Sequence, residues 1–157
     1  MFNFHLIDTN SVSAIVNWRY EPPYDLYNYL EEDATLQYFL NPQNNFYKIV
    51  NENGDLVGYC SFGQDGQVSG GDYRYDALDI GMRIRPDLAG QGKGIEYANA
   101  VLGFTENLLK PKAFRVTIAA FNRRALRLWQ KLEFEPQQSF ERKSDGMQFI
   151  ILVRVNY

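Results

Sequence analysis

The sequence has one cysteine, Cys60, and one histidine, His5. A lone cysteine cannot close an intrachain disulfide, which suits a reducing, cytoplasmic setting. The usual zinc sites need three or four His, Cys or carboxylate ligands, so no metal is expected. No run approaches the roughly 18 apolar residues of a membrane span. The N-terminus lacks the basic segment and apolar core of a signal peptide. Basic residues do not predominate, since 16 Lys and Arg face 19 Asp and Glu for a net charge of −3. That balance argues against a nucleic-acid binder, whose footprint is basic. No repeat, low-complexity tract or linker interrupts the 157 residues, which are read as one domain over 1–157.

Aromatic residues are abundant instead, with 11 Tyr and 11 Phe. "FNFHLI" reads as a first strand carrying His5, and a Tyr- and Leu-rich stretch over 11–39 reads as two short helices around the breaker "EPPY". "FYKIVN" and "LVGYCSFG" pair as a hairpin, with a turn over Glu52–Asp55 centred on Asn-Gly. Cys60 falls in the second of these strands and reads as a packing thiol. "QDGQVSGGDYRYD" is polar and glycine-rich, the signature of a mobile loop. "ALDIGMRIRP" alternates, with Leu78, Ile80, Met82 and Ile84 on one face and Asp79, Gly81, Arg83 and Arg85 on the other. From Ile95 apolar residues recur at 95, 98, 101, 102, 108 and 109, a helical stripe. "FRVTIAAF" is a strand, and Asn122 N-caps the helix "RRALRLWQKL". Two late strands, "FEPQQSFER" and "QFIILVRV", are joined by "KSDGM". The fold class is therefore mixed α+β.

Gly90, Gly92 and Gly94 fall within five positions between a strand and a helix. The nucleoside-triphosphate loop does not fit, because Gly94 stands where its magnesium-binding hydroxyl belongs and Asp87 where its first glycine belongs. The dinucleotide fingerprint fails on spacing, and no acid follows at the ribose position. The glycines do suit a pyrophosphate cradle. In that arrangement successive N–H groups of residues 90–95 face an anion, no Cβ blocks its approach, and the helix end adds positive potential. A plain flexible turn accounts for the same glycines.

"IRPDLAGQGKGIEYANAVL" resembles the acetyl-CoA-binding motif of the GNAT family of N-acetyltransferases, Gln/Arg-x-x-Gly-x-Gly/Ala after a strand. Here Ala89 takes the Gln/Arg place, and Gly92 and Gly94 match. "VTIAAFNRRALRLWQKLEFE" resembles the family's later strand and Asn-x-x-Ala helix, matched by Asn122 and Ala125. The likeness covers residues 76–140. It implies a mixed, mostly antiparallel central sheet, flanked by helices and splayed between its fourth (76–85) and fifth (114–120) strands. It also implies that acetyl-CoA, the acyl-donor substrate, lays its pantetheine arm along Met82 to Ile84. The pyrophosphate would then rest on Ala89, Gly90, Gln91, Gly92, Lys93, Gly94 and Ile95, with Asn122 and Trp129 completing the cofactor set. The implied reaction is direct attack of an amine on the thioester, with a small molecule or a peptide as the amine acceptor. A monomer or homodimer is expected. O-acetylation, transfer of a longer acyl group, and a catalytically silent acyl-CoA-binding module are the alternatives.

Three departures from the family pattern matter. Ala89 removes a long polar side chain beside the phosphates. Trp129 stands where the family often has a tyrosine as proton donor to the thiolate, and an indole N–H is no usable acid. Glu133 replaces the glycine after the helix, where a left-handed residue is expected.

An amine attacks only when neutral, so a carboxylate within reach is sought as general base. Asp79, on the polar face of the fourth strand, is the candidate; an ion pair with Arg83 or a neighbour is the alternative. Glu31, Glu32 and Asp33 form a charge cluster that reads as a solvated face or as a hold for a cationic substrate. Trp18, Tyr20, Tyr24, Tyr27 and Tyr29 read as core filler or as a pocket stacking on a cation or an aromatic. Arg123, Arg124 and Arg127 read as solvated or as reaching the nucleotide phosphates.

Overall fold

A computed structural model of the protein describes residues 1–30 and 32–156, with the backbone alone for residues 32–34. Its strands are β1 (Asn3–Leu6), β2 (Phe46–Val50), β3 (Leu56–Phe62), β4 (Leu78–Ile84), β5 (Ala113–Ala119), β6 (Glu135–Glu141) and β7 (Gln148–Val155). Its α-helices are α1 (Thr9–Ile15), α2 (Glu32–Leu40), α3 (Gly94–Leu109) and α4 (Arg123–Lys131). The strands form a seven-stranded mixed sheet in the order β1-β2-β3-β4-β5-β7-β6. The chain divides into two compact units, one of Met1–Ser61 with Met82–Lys93 and the other of Phe62–Gly81 with Gly94–Tyr157. No helix among the described residues is long and apolar enough to cross a membrane.

In the first unit β1 pairs antiparallel with β2, and β2 antiparallel with β3. His5 is exposed on β1. The β2–β3 connection departs from an Asn-Gly-centred turn. Of its residues only Gly54 has a positive φ, +83°, whereas a type I′ turn needs two such residues. Asn51 instead opens the turn, its carbonyl accepting from Gly54 N–H and its N–H donating to the Asp55 carbonyl. The Asn51 side-chain oxygen also accepts from the N–H groups of Asn53 and Asp55. The result is a three-residue hairpin loop closed by a left-handed glycine. Helix α1 starts where Asp8 accepts from Ser11 N–H at 2.8 Å. It buries Val12 and Ile15 with Phe39, Phe46 and Tyr59 in one apolar cluster. Cys60 is fully buried on β3, and burial pushes its thiol pKa far up, so it packs and does not react.

Asp8 also pairs with Lys48 at 2.6 Å, and these contacts hold its pKa down to about 2. A depressed carboxylate stabilises the fold above the unfolded-state value of about 3.9, and that contribution fades as pH falls through about 2. Asp8→Ala should therefore cost about 1 kcal/mol at neutral pH. Urea titrations at stepped pH should show the difference from wild type shrinking between about pH 4 and about pH 2.

In the second unit β5 pairs antiparallel with β7, and β7 with β6. Strands β4 and β5 run parallel, registering Leu78 with Phe114 and Asp79 with Arg115, while β4 continues to Ile84. Phe140, Phe149, Ile151 and Ala119 form a cluster joined by Val68 and Tyr73. Tyr73 and Val68 belong to the glycine-rich segment expected as a mobile loop, and the structure ties that segment down. The Val68 N–H donates to the Tyr73 hydroxyl, Asp72 N–H to Gln138, and Lys143 N–H to the Ser69 carbonyl. Helix α3 buries Tyr97, Ala98, Val101, Leu102 and Thr105. Leu108 and Leu109 continue that stripe but are half exposed, because they occupy the last turn. Ile95, in the first turn, is exposed too.

Asn122 caps α4 as expected, its side-chain oxygen accepting from Ala125 N–H at 3.1 Å. The helix ends in a Schellman motif. Phe134 N–H donates to the Trp129 carbonyl and Glu133 N–H to the Gln130 carbonyl, and Phe134 meets the Trp129 ring edge-on at 5.0 Å. Glu133 takes the left-handed conformation at φ +71°. A non-glycine residue there costs about 1 kcal/mol or more, so Glu133→Gly should raise the urea midpoint by a corresponding amount.

Candidate functional site

The segment from β4 to α3 is built to present backbone. Pro86 ends β4, and Arg85 locks the bend that follows. Its guanidinium donates to both Asp87 carboxylate oxygens, at 2.7 and 3.2 Å, and to the Leu56 carbonyl at 2.8 Å. The N–H groups of Leu88 and Ala89 close back on the Arg85 carbonyl. The Gln91 side chain donates to the Asp87 carbonyl at 2.6 Å. Beyond Ala89 the chain stops bonding to itself: among the described residues none accepts from the N–H of Gly90, Gln91 or Gly92.

Two of the three glycines are required by conformation. Gly90 and Gly92 have φ of +75° and +77°, where an L residue is strained. A Cβ on Gly92 would meet nothing within 4 Å, so open space lies in front of that position. Gly94 has a different reason. It starts α3, and a Cβ there would come within 3.3 Å of the Leu128 side chain. Gly90, Gln91, Gly92, Lys93 and Ile95 are exposed. The first N–H groups of α3 have no intrahelical acceptor and carry the positive end of the helix dipole.

The remaining expected residues lie as follows. Met82 and Ile84 are half-buried on β4, and the Ile84 carbonyl accepts from the Tyr20 hydroxyl at 2.7 Å. Trp129 is buried against Phe134. Arg123, Arg124 and Arg127 are exposed on α4, the first two in its opening turn. Glu31 lies outside the described residues, as do the side chains of Glu32 and Asp33.

Asp79 is 3 % exposed and bound on both oxygens. Arg115 donates Nε to Oδ1 at 2.6 Å and Nη2 to Oδ2 at 2.7 Å, and Gln67 Nε2 donates to Oδ2 at 2.9 Å. Arg115, 2 % exposed, also donates to the Tyr75 carbonyl at 2.8 Å and lies 4.9 Å from the Tyr73 ring. Its hydrogen bonds to Asp79 raise its pKa against the cost of burial. The ion-pair partner is thus Arg115 and not Arg83, because the parallel β4–β5 register sets residues 79 and 115 side by side. Sequence reasoning missed Arg115. The available signal was a charged residue near the start of the mostly apolar "FRVTIAA". A broad cleft of about 1170 Å³ elsewhere in the second unit, lined by Asp72, Arg74, Glu133 and Arg154 among others, includes no residue of the glycine loop.

Comparison with known proteins bears on what this arrangement is. Residues 5–135 match the family model described as acetyltransferase (GNAT) domain. None of the curated protein sequences searched matches the chain. Among solved structures, a GNAT-family acetyltransferase from Bacillus anthracis superposes with a TM-score of 0.76 at 14% identity, over 98% of this chain and 94% of that one. The aminoglycoside acetyltransferase AAC(6')-Ib in complex with coenzyme A gives 0.77 at 16% identity, over 99% and 95%. A spermidine N-acetyltransferase SpeG chimera from Vibrio cholerae and hSSAT gives 0.76 at 13% identity, over 98% and 95%. These likenesses establish the fold. With the family model spanning most of the sequence, the chain belongs to the GNAT acetyltransferase family.

Proposed function

We propose that the protein is an N-acetyltransferase that moves an acetyl group from acetyl-CoA to a primary amine. The observation that carries the reading is the loop before α3. It has two glycines in left-handed conformation, backbone N–H groups without acceptors, and open space at Gly92. A diphosphate needs these features, and a plain turn does not need three of them together. In this reading residues 89–95 hold the pyrophosphate, mainly through main chain, since Ala89 offers no polar side chain. The backbone of Met82 to Ile84 receives the pantetheine arm. Asn122 fixes the start of α4.

Acetyl-CoA supplies an activated thioester, and a thiol with a pKa of about 8.5 leaves readily near neutrality. An acid at the Trp129 position is therefore dispensable. Both Asp79 oxygens are taken by Arg115 and Gln67, so we assign Asp79 to positioning β4 and β5 rather than to proton removal. The amine proton then passes to water.

Thiol release from acetyl-CoA, followed over a panel of primary amines, tests the proposal. Release that depends on an amine, with an acetylated product, supports it. The buried Trp129 is the observation that favours a catalytically silent acyl-CoA-binding module. Tight acetyl-CoA binding without turnover on any amine would establish that second reading.

A further inference from the structure

The aromatic segment after α1 reads as core filler or as a pocket that stacks on a cation or an aromatic, and the protein itself supplies a cation. Arg83 on β4 lays its guanidinium over the Tyr27 ring, 3.9 Å from the centroid. Tyr20 stands edge-on to Tyr27 at 6.5 Å and is anchored through its hydroxyl to the Ile84 carbonyl. The Tyr29 and Tyr59 hydroxyls share a hydrogen bond at 2.5 Å, and Trp18 stacks on Tyr59 at 6.3 Å. All of these residues belong to the first unit. Burial disfavours the Arg83 charge, but the surrounding Tyr59, Tyr29, Tyr27 and Tyr20 outweigh it and raise its pKa.

Arg74, Arg85, Arg115 and Arg142 each reach a carboxylate. Arg154, half-buried beside the Phe114 and Phe134 rings, donates to the Leu132 carbonyl instead. Arg83 does neither. No carboxylate among the described residues lies within ion-pair distance of Arg83, and its N–H donors make no hydrogen bond to a described residue. Among the described residues no fully buried side-chain nitrogen or oxygen lacks a partner. The guanidinium of Arg83, a half-buried residue with no hydrogen-bond partner among the described residues, is therefore not fully enclosed. A guanidinium walled by aromatic rings and stripped of part of its water is suited to a planar oxyanion held by two parallel hydrogen bonds. It also repels a second cation, so this surface does not suit a polyamine.

Resting on the acetyltransferase reading above, we propose that Arg83 binds the carboxylate of the acceptor, which makes the acceptor a zwitterionic amine of the amino-acid type. Arg83 lies between Met82 and Ile84, the residues assigned to the pantetheine arm. The tyrosine and tryptophan rings around it would receive the acceptor's apolar part.

Matched pairs test this directly: L-phenylalanine with phenethylamine, L-tryptophan with tryptamine, L-methionine with 3-(methylthio)propylamine, and L-lysine with cadaverine. In at least one pair the carboxylate-bearing member should be preferred by about tenfold or more in kcat/KM. Arg83→Gln should bring that pair to within about twofold, mainly through KM, and Arg83→Lys should restore part of the gap. Acetyl-CoA affinity and melting temperature of each variant verify that the cradle and fold persist. Preference for the decarboxylated member in every pair overturns the proposal and leaves acetyl transfer standing, as does a gap that survives Arg83→Gln. Acetyl-CoA binding without transfer to any pair also overturns it. Absence of both binding and transfer sinks the acetyltransferase reading and this one with it.

Discussion

Asp79→Ala should lower folding stability by about 3–5 kcal/mol, the cost of leaving one member of a buried ion pair without its partner. Arg115, 2 % exposed, would keep the Tyr75 carbonyl, the Tyr73 ring and a longer-range attraction to Asp72, none of which replaces a bidentate carboxylate. Asp79→Leu combined with Arg115→Met should recover most of the loss, because an apolar pair of similar volume replaces both charges at once. Urea denaturation of the two single variants and the double variant would measure the coupling. A cost below about 1 kcal/mol for Asp79→Ala would mean that the pair is solvated and that Asp79 is available for other work. The same side chain separates two mechanisms. With Asp79 committed to Arg115, the Asp79→Asn protein should keep the wild-type pH–rate profile at a temperature where it remains folded. A shifted or lost limb would return Asp79 to the role of general base.

The second large effect is expected at Gly92. Gly92→Asp places a side chain at φ +77° in front of the bare N–H groups of the loop, and gives it the sign of charge that repels a diphosphate. Affinity for acetyl-CoA should fall by about 100-fold or more, the loss of roughly two charge-assisted hydrogen bonds. Stability should change by only about 1–2 kcal/mol, the strain of a left-handed L residue, because nothing is within 4 Å to clash. Gly92→Ala is the control, since it carries the strain without the charge and should keep most of the binding. Calorimetry on both variants separates the terms. Equal affinity in Gly92→Asp and wild type would remove the loop from the site.

Local features of this protein were legible in its sequence, and partnerships were not. Period-two alternation marked β4, Asn122 announced the start of α4, and the glycines marked a loop whose backbone conformation needs them. The Glu133 position after α4 was readable as left-handed because a helix end constrains its own next residue. The partner of Asp79 was not readable, because alternation says which face a residue shares and not which strand lies alongside. Only the β4–β5 register brings Arg115 to it. The tyrosine segment was legible as core filler or as a pocket for a cation or an aromatic, and Arg83, more than fifty residues later in the chain, lies over Tyr27 there. The Asn-Gly dipeptide pointed to a two-residue turn. The Asn51 side chain, by capping two N–H groups, selects a three-residue one instead.

We place the diphosphate of acetyl-CoA on the main-chain N–H groups at the entrance to α3. Calorimetric titration of the wild-type protein with acetyl-CoA, repeated with the dephosphorylated acyl-pantetheine fragment, tests it most directly. Saturable one-to-one binding of acetyl-CoA is expected, with weakening of about 100-fold or more for the fragment, which lacks the diphosphate. Equal affinity for both, or no binding of acetyl-CoA, would contradict that placement.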